Sequence, residues 1–114
     1  MKRVLLLVAL AALSAGCSTP TMYSWGQYEE LVYTMYAKPG EALPELQIEK
    51  LEEDLQKARS RDQPVPPGFH AHLGYLYVQI GKLDQAKQEL ETERALFPES
   101  AVFMDRLLAN LQPK

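Results

Sequence analysis

The sequence is poor in cysteine and in basic residues. Cys17 is the only cysteine among 114 residues, so no internal disulfide and no multi-cysteine metal site can form. The 12 Lys and Arg face 15 Asp and Glu, which gives a formal net charge of −3. A mildly acidic chain without a basic cluster does not match the electrostatics of nucleic-acid binding. We therefore expect no nucleic-acid partner.

The histidines, serines and acidic residues do not form a recognisable catalytic pattern. His70 and His72 lie two positions apart, about 200° around a helix, so they cannot share a metal ion as an i, i+4 pair can. We expect His70 to pack in the core and His72 to be exposed. No serine lies in a Gly-x-Ser-x-Gly context, and no glycine-rich phosphate loop is present. We therefore expect no enzyme activity, no cofactor and no metal site.

The long apolar run at the N-terminus has the length of a signal-peptide core. Lys2 and Arg3 precede the run VLLLVALAAL, which extends from Val4 to Leu13. A helix of this length spans about 15 Å, half the hydrocarbon thickness of a bilayer, so the run is too short for a transmembrane helix. We therefore expect residues 1–16 to be a signal peptide that is removed.

The end of this run, Leu13-Ser14-Ala15-Gly16-Cys17, resembles the lipobox of bacterial lipoproteins. The resemblance implies cleavage before Cys17 and attachment of a diacylglycerol to its thiol. One departure is that the lipobox usually has leucine three positions before the cysteine, where this chain has Ser14. A conventional secretory signal followed by an incidental cysteine is the alternative.

The residue that follows Cys17 bears on the expected location. Ser18 stands there, and in Gram-negative lipoproteins the absence of aspartate at this place generally implies sorting to the outer membrane. We therefore expect a lipid-anchored protein on the periplasmic face of the cell outer membrane. Loss of Lys2 and Arg3 with the signal peptide makes the mature chain two charges more negative.

Periodicity and helix breaks divide the mature chain into about five predicted helices. They cover approximately residues 25–38, 43–60, 69–80, 84–97 and 99–111. No stretch shows sustained period-two alternation or a hairpin turn signal, so we predict an all-α fold.

The second predicted helix has an apolar stripe opposite an acidic face. The stripe contains Ile48, Leu51, Leu55 and Ala58, and the acidic face contains Glu45, Glu49, Glu52 and Glu53. Two opposite-charge pairs four residues apart, Glu53 with Lys57 and Lys50 with Asp54, are expected on its surface.

The last third of the chain carries a repeat pattern. The residues concerned are Leu73, Gly74 and Tyr77 in one helix, Gly81 at a turn, Ala86 in the next helix, and Pro98 at its end. With this spacing, residues 67–100 resemble a tetratricopeptide repeat, a 34-residue helix–turn–helix unit. His70, Leu90 and Glu93 depart from the usual tryptophan, phenylalanine and small residue.

The repeat resemblance also sets the expected organisation of the whole chain. One repeat length after the first-helix positions stand the apolar residues Met104, Leu107, Leu108 and Leu111. The resemblance implies tetratricopeptide-like hairpins in an antiparallel, right-handed array. We predict a signal peptide at 1–16, a lipidated tether at 17–24, a divergent helical hairpin at 25–61, a proline-rich linker at 62–68, and a tetratricopeptide-like repeat with a capping helix at 69–114.

Four segments together resemble an uncharacterised family of small bacterial lipoproteins with a domain of unknown function. These are the lipobox, WGQYEELVY, PPGFHAHLGYLY and LFPESAVFMDRLL, and the resemblance covers nearly all of the mature chain. Members tend to be encoded beside a lipoprotein of the curli-secretion-pore type and a second small lipoprotein. The resemblance therefore implies a role in the cell envelope, with such a pore-type lipoprotein as one candidate partner. It brings no known catalytic residue.

Aromatic residues are concentrated between residues 23 and 36. One helical stripe contains Trp25, Tyr28, Val32 and Tyr36. Leu31 and Tyr33 lie on opposite sides of this stripe. Two interpretations stay open: the aromatic segment packs in the core beneath the proline-rich linker, or it is a binding face, since Tyr and Trp combine apolar area with a polar group. The candidate partner-binding residues are Tyr23, Tyr28, Tyr33, Tyr36 and Tyr75.

The repeat positions that hold acidic peptide termini in some tetratricopeptide proteins correspond to Ala71, Tyr75 and Gln79. None of these residues is basic, so a carboxylate clamp is not expected, and an extended peptide would meet a neutral, tyrosine-bearing surface. The sequence thus favours an outer-membrane helical adaptor that holds an envelope protein. The alternative is a pilotin-like assembly factor that escorts a secretion component to the outer membrane.

The lipid anchor gives the first testable prediction. We expect cells fed labelled palmitate to incorporate the label into the wild-type protein, because Cys17 carries the acyl groups, and not into Cys17→Ala. Gel fluorography of the purified proteins measures this. Equal labelling of the two proteins would contradict a lipid anchor at Cys17.

Overall fold

A computed structural model describes residues 1–4, 16–17 and 19–112 of the chain. Residues 19–112 contain five α-helices and one short 3-10 helix, and no strand occurs in any of the three described ranges. The helices are α1 (Tyr28–Ala37), α2 (Pro44–Ser60), α3 (Phe69–Gln79), α4 (Leu83–Leu96) and α5 (Ala101–Asn110), with the 3-10 helix at Pro98–Ser100 between α4 and α5. The predicted all-α fold of about five helices is confirmed.

Proline and glycine determine most of the helix ends. Pro44 begins α2, where its missing N–H costs nothing, since the first N–H groups of a helix have no partner inside it. Gly81, with a positive φ of 76°, follows α3 and lets the chain turn into α4. Gly26 has a φ of 49° and places Trp25 before α1 rather than on it. The start of α1 at Tyr28 is therefore three residues later than predicted.

The core lies mainly around α3, which packs between α2 and α4. The buried hydrophobic residues are Leu31, Ile48, Leu51, Ala58, Val65, Phe69, Leu73, Leu76, Tyr77, Ala86, Leu90 and Met104. The stripe predicted for α2 is confirmed: Ile48, Leu51 and Ala58 are buried, and Leu55 packs against the cluster. The helical period of the apolar residues therefore determines which side of α2 is buried.

The proline-rich segment between α2 and α3 is packed against the core. Val65 is 5% exposed, and Pro66 is fully buried. The backbone N–H of Ser24 donates to the carbonyl oxygen of Pro64 at 2.8 Å, and Gln63 Nε2 donates to the carbonyl oxygen of Thr21 at 2.9 Å. The residues that precede α1 are thus held beside this segment, each hydrogen bond adding about 1 kcal/mol.

One of the two predicted ion pairs on α2 is present, and the other prediction was wrong. Lys57 Nζ lies 2.8 Å from Glu53 Oε1. Asp54 does not pair with Lys50; it is 5% exposed and accepts a hydrogen bond from the backbone N–H of Gln27 at 2.7 Å. The start of α1 has N–H groups without helical partners, and a carboxylate there also interacts favourably with the helix dipole.

The contact between α3 and α4 depends on a small residue at position 74. A Cβ added to Gly74 would lie 3.1 Å from Leu90 Cδ2 and 3.2 Å from the carbonyl oxygen of Ala86. The Ala86 oxygen belongs to the backbone, so it cannot rotate away from an added side chain. Gly74 and Ala86, two residues of the repeat pattern, therefore let α3 and α4 approach closely.

The close approach of α3 and α4 at Gly74 predicts that a larger side chain at this position lowers stability more than the same side chain at an exposed position of α3. Gly74→Val should lower the free energy of unfolding by about 1–3 kcal/mol, because the branched side chain must separate α3 from α4. Gln79→Val introduces the same side chain at an exposed position of α3 and should change the unfolding free energy by less than about 0.5 kcal/mol. Urea denaturation followed by circular dichroism measures both. Equal effects would argue against a tight seam at Gly74.

Candidate functional site

Five aromatic side chains form a continuous surface that crosses the segment before α1, α1 itself and α3. We call this the aromatic surface, and it consists of Tyr23, Trp25, Tyr28, His72 and Tyr75. Consecutive ring centroids lie 6.4, 6.4, 5.9 and 6.4 Å apart in that order. Phe97, at the end of α4, continues it beyond Tyr23 at 6.4 Å. Residues far apart in sequence thus present one row of rings.

Tyr28 connects the aromatic surface to the core. Its ring packs against Phe69 at a centroid distance of 5.7 Å, and a Cβ on Gly68 would lie 2.8 Å from its hydroxyl oxygen. Gly68 also has a φ of 93°, a backbone conformation that residues other than glycine rarely adopt. Burial, then the nearby Glu93 carboxylate, and then Tyr36 raise the pKa of Tyr28, so its hydroxyl stays neutral at physiological pH.

His72 is half-buried and hydrogen-bonded, so the prediction that it is exposed was wrong. Its Nε2 lies 3.0 Å from Oε1 of Gln47, which is 1% exposed. Gln47 Nε2 donates to the carbonyl oxygen of Ala42, so Oε1 of Gln47 accepts and His72 donates its Nε2–H. Burial lowers the pKa of His72, so the ring is neutral at pH 7.

Glu93 supports the aromatic surface from beneath. It is 2% exposed and accepts hydrogen bonds from the backbone N–H groups of Gly68, at 2.7 Å, and Ala71, at 3.3 Å. α3 has no side-chain cap of its own, and a carboxylate from α4 satisfies its first N–H groups instead. The departure of Glu93 from the small residue of the repeat pattern was the sequence signal for this contact.

The structure brings together three of the five tyrosines predicted as partner-binding residues. Tyr23, Tyr28 and Tyr75 belong to the aromatic surface. Tyr33 and Tyr36 are 67% and 77% exposed on α1, and neither ring contacts another ring in the described part of the chain.

The predicted stripe on α1 is displaced from the buried side of the helix. Leu31, which was placed outside the stripe, is the buried residue of α1 at 7% exposure. Trp25 is 38% exposed and precedes the helix, and Tyr36 faces solvent. The stripe was misplaced because Trp25 was counted as a helical residue. Sequence reasoning also missed Trp25 and His72 as members of one surface with Tyr75.

A second group of polar side chains ties α3 to its two neighbours. His70 is 4% exposed, as predicted for a core position, and its Nδ1 lies 2.6 Å from Glu89 Oε2 on α4. The hydroxyl of Tyr77 donates to Glu52 on α2, and burial followed by this hydrogen bond raises the pKa of Tyr77. Both polar groups find partners on adjacent helices, which is the usual way in which buried polar atoms are accommodated.

The predicted lipid-attachment residue, Cys17, is exposed in the structure. Leu13, Ser14 and Ala15 of the lipobox, and Ser18 of the sorting prediction, lie outside the described residues. Among the residues that are described, no helix is both long and apolar enough to cross a bilayer. The same residues contain no group of three or more His, Cys, Asp or Glu placed to hold a metal ion.

The sequence model of DUF4810, a domain of unknown function, matches residues 22–107. The chain belongs to the DUF4810 family. The matched region begins after Cys17 and includes every residue of the aromatic surface and its supporting residue Glu93. A search of curated proteins and a search of solved structures each found no match to this DUF4810 chain.

His72 predicts how the stability of the fold depends on pH. Its pKa is lower in the folded state than its ordinary value of 6.5, so the unfolded chain binds more protons as pH falls below that value. The contribution of His72 to stability is present above pH 6.5 and is lost as pH falls toward its folded pKa. The groups that face it are the rings of Tyr28 and Tyr75 and the side-chain amide of Gln47.

The prediction is tested with His72→Gln, which keeps a hydrogen-bonding side chain but does not titrate. We expect the thermal midpoint of the wild type to fall from neutral pH to about pH 5.5 by more than that of the variant. Scanning calorimetry across this range measures the difference. Equal pH dependence in the two proteins would show that His72 is not the group responsible.

Proposed function

We propose that this DUF4810 protein is an outer-membrane lipoprotein, anchored through Cys17, that acts as a tetratricopeptide-like adaptor for another protein of the cell envelope. A neighbouring lipoprotein of the curli-secretion-pore type is one candidate partner. The proposal assigns no catalysis to the chain, and the aromatic surface is its binding site.

The observation that carries this proposal is the continuity of the aromatic surface. Residues that bind partners most strongly are enriched in Tyr and Trp, which offer large apolar area together with a hydrogen-bonding group. Trp25 and Tyr75 are 38% and 48% exposed, whereas Tyr28 between them is fixed against Phe69. Rings held in place by the core lose little conformational freedom on binding, which favours affinity.

The helix packing supports a repeat-type adaptor. α3 and α4 meet through Gly74 and Ala86 at the positions that the repeat resemblance assigns to small residues. Met104 on α5, one repeat length after His70, is 2% exposed, and Leu107, Leu108 and Leu111 are half-buried. An array with so few hairpins has a small core, and binding of a partner would stabilise it by mass action.

Partner capture through Tyr75 is the direct test of the adaptor function. Tyr75→Ala should reduce recovery of the partner from detergent-solubilised envelope by about tenfold or more, the result expected for removal of a strongly contributing aromatic binding residue. The thermal midpoint should change little, because Tyr75 is about half exposed. Quantitative mass spectrometry of affinity-purified protein measures the recovery.

Phe103→Ala provides the matched control, since Phe103 is an aromatic residue on α5 that is 58% exposed and lies outside the aromatic surface. It should leave recovery unchanged. Equal loss in both variants, or repeated recovery of no partner with the wild type, would contradict the proposal. Deletion of the gene distinguishes an adaptor from the alternative, a pilotin-like assembly factor. The partner of an adaptor stays at the outer membrane, whereas the client of a pilotin-like factor becomes mislocalised.

A further inference from the structure

We infer that one end of the helical array, formed by residues 61–64 and 96–102, lies against the lipid headgroups of the bilayer. We call it the anchored end. The inference rests on the proposed lipid anchor at Cys17 and adds which surface of the protein meets the membrane. It follows from the contacts of residues 21–24, which we call the N-terminal strap, from the length of chain before the strap, and from the charged and apolar residues around it.

The N-terminal strap is hydrogen-bonded to the segment that follows α2. Gln63 Nε2 donates to the carbonyl oxygen of Thr21 at 2.9 Å, and the backbone N–H of Ser24 donates to the carbonyl oxygen of Pro64 at 2.8 Å. Within the strap, the Thr21 hydroxyl donates to the carbonyl oxygen of Tyr23 at 2.8 Å. The chain that leads from Cys17 is therefore fixed to the body of the protein at Thr21, before α1 begins.

The strap also contacts the connection between α4 and α5. The ring centroid of Tyr23 lies 6.4 Å from that of Phe97, the residue that follows α4. The 3-10 helix Pro98–Ser100 and the start of α5 at Ala101 come directly after it. The connections after α2 and after α4 thus meet the strap at the same end of the array. Two separate contacts limit rotation of the body about the strap.

The chain between the lipid and the strap is short. Four residue steps separate Cys17 from Thr21, and an extended chain of that length spans about 14 Å. α2 leads away from the anchored end, and the helix from Ser60 back to Leu46 covers about 21 Å. A lipid on Cys17 therefore keeps the anchored end beside the headgroups, whereas the start of α2 reaches them only if the body lies on its side.

Charge disfavours an orientation in which the protein lies on the outer side of α2. A surface groove there is lined by four glutamates, and Lys82 is the one basic residue among those that line it; the glutamates are Glu45, Glu49, Glu52 and Glu53. A bilayer that contains anionic lipid repels this groove. At the anchored end, the exposed residues Arg61 and Asp62 carry opposite charges, so no comparable repulsion arises there.

Exposed apolar side chains favour contact between the anchored end and the bilayer. Met22 in the strap is 77% exposed, Leu96 at the end of α4 is 54% exposed, and Val102 near the start of α5 is 76% exposed. Apolar side chains of a membrane-bound protein gain free energy by entering the boundary between headgroups and acyl chains. The tether holds these three residues within reach of that boundary, which makes the lipid surface their occupant.

A pair of fluorescent labels on α2 tests the orientation. The thioether to the lipid consumes the thiol of Cys17, the only cysteine, so a cysteine introduced elsewhere is labelled alone. Ser60→Cys at the anchored end and Leu46→Cys at the other end each carry a fluorophore in the mature lipidated protein. The proteins are reconstituted into vesicles of phosphatidylethanolamine and phosphatidylglycerol that contain a lipid with a nitroxide quencher on its headgroup.

We expect quenching to be at least about twofold stronger at position 60 than at position 46, because about 21 Å of helix separates them. Leu46 also lines a cavity between α1 and α2, so a protein that lies on that side would bring its label to the headgroups. Equal quenching at the two positions, or stronger quenching at position 46, would overturn the inference.

A second pair of labels on α4 provides a matched control for tilt. Ala95→Cys lies toward the anchored end and Gln85→Cys toward the other end, both at exposed positions, and neither substitution changes the charge. The label at position 95 should be quenched more strongly than the label at position 85. A difference between the labels on α2 with none between those on α4 would show that the array lies on one side, and would also overturn the inference.

Failure of this inference can be distinguished from failure of the proposed function. Palmitate labelling reports on the anchor at Cys17, and partner recovery in detergent reports on the adaptor, and neither depends on which end faces the bilayer. A labelled protein that recovers its partner but shows equal quenching at both ends keeps the proposed function and loses the orientation. Stronger quenching at the anchored end, with no partner recovered, would support the orientation and count against the adaptor function.

Discussion

The buried carboxylate of Glu93 is the contact on which the arrangement of the aromatic surface depends. It lies on α4 and accepts hydrogen bonds from the backbone N–H groups of Gly68, just before α3, and Ala71, in its first turn. Hydrogen bonds to a charged group contribute about 1.5–3 kcal/mol each, and loss of the acceptor would leave two N–H groups at this helix start unsatisfied. A Cβ on Gly68 would lie 2.8 Å from the Tyr28 hydroxyl oxygen. The same carboxylate therefore fixes the start of α3 and the backbone against which the central ring packs.

A related contact fixes the start of α1. Asp54 on α2 accepts the N–H of Gln27, and a Cβ on Gly26 would overlap its carboxylate. α1 and α3 both lack a side-chain cap of their own, and in each case an acid on the following helix supplies one. The two caps join residues 27 and 25 positions apart. In both places an acid on the helix that follows in sequence caps the helix before it, so the start of α1 and the start of α3 are each fixed by a charge as well as by apolar packing.

The sequence predicts those features that depend on local pattern. Helix periodicity and the Pro and Gly breaks predicted every helix from α1 to α5, with ends within about three residues, and the stripe on α2 was predicted because apolar spacing determines a buried side. The positions of Asp54, Glu93 and His72 were not predictable in this way. Each depends on a partner at least 22 residues away, so their environment is decided by how helices meet.

The aromatic surface, too, was only partly predictable from local sequence pattern. The concentration of aromatic residues between 23 and 36 was visible in the sequence, and three of the predicted tyrosines lie on the surface. Gly26 bends the chain before α1, so Trp25 does not continue the helical stripe, and α1 instead buries Leu31. The contribution of His72 required knowing that α3 crosses beside Tyr28. The composition of residues 23–36 predicted where the surface begins. Which rings belong to it depends on the packing of α1 against α3.

The proximity of Cys17 to this surface bears on the strength of binding that an adaptor needs. Six residue steps separate Cys17 from Tyr23, and an extended chain of that length spans about 20 Å. With Cys17 lipidated as proposed, Tyr23 at one end of the aromatic surface stays within that distance of the bilayer surface, where a partner anchored in the same leaflet is confined as well. Such confinement raises the effective concentration of the two proteins, as a short linker does, and converts a weak contact into stable association. A short partner segment with individually modest ring contacts is then sufficient for the adaptor function proposed above.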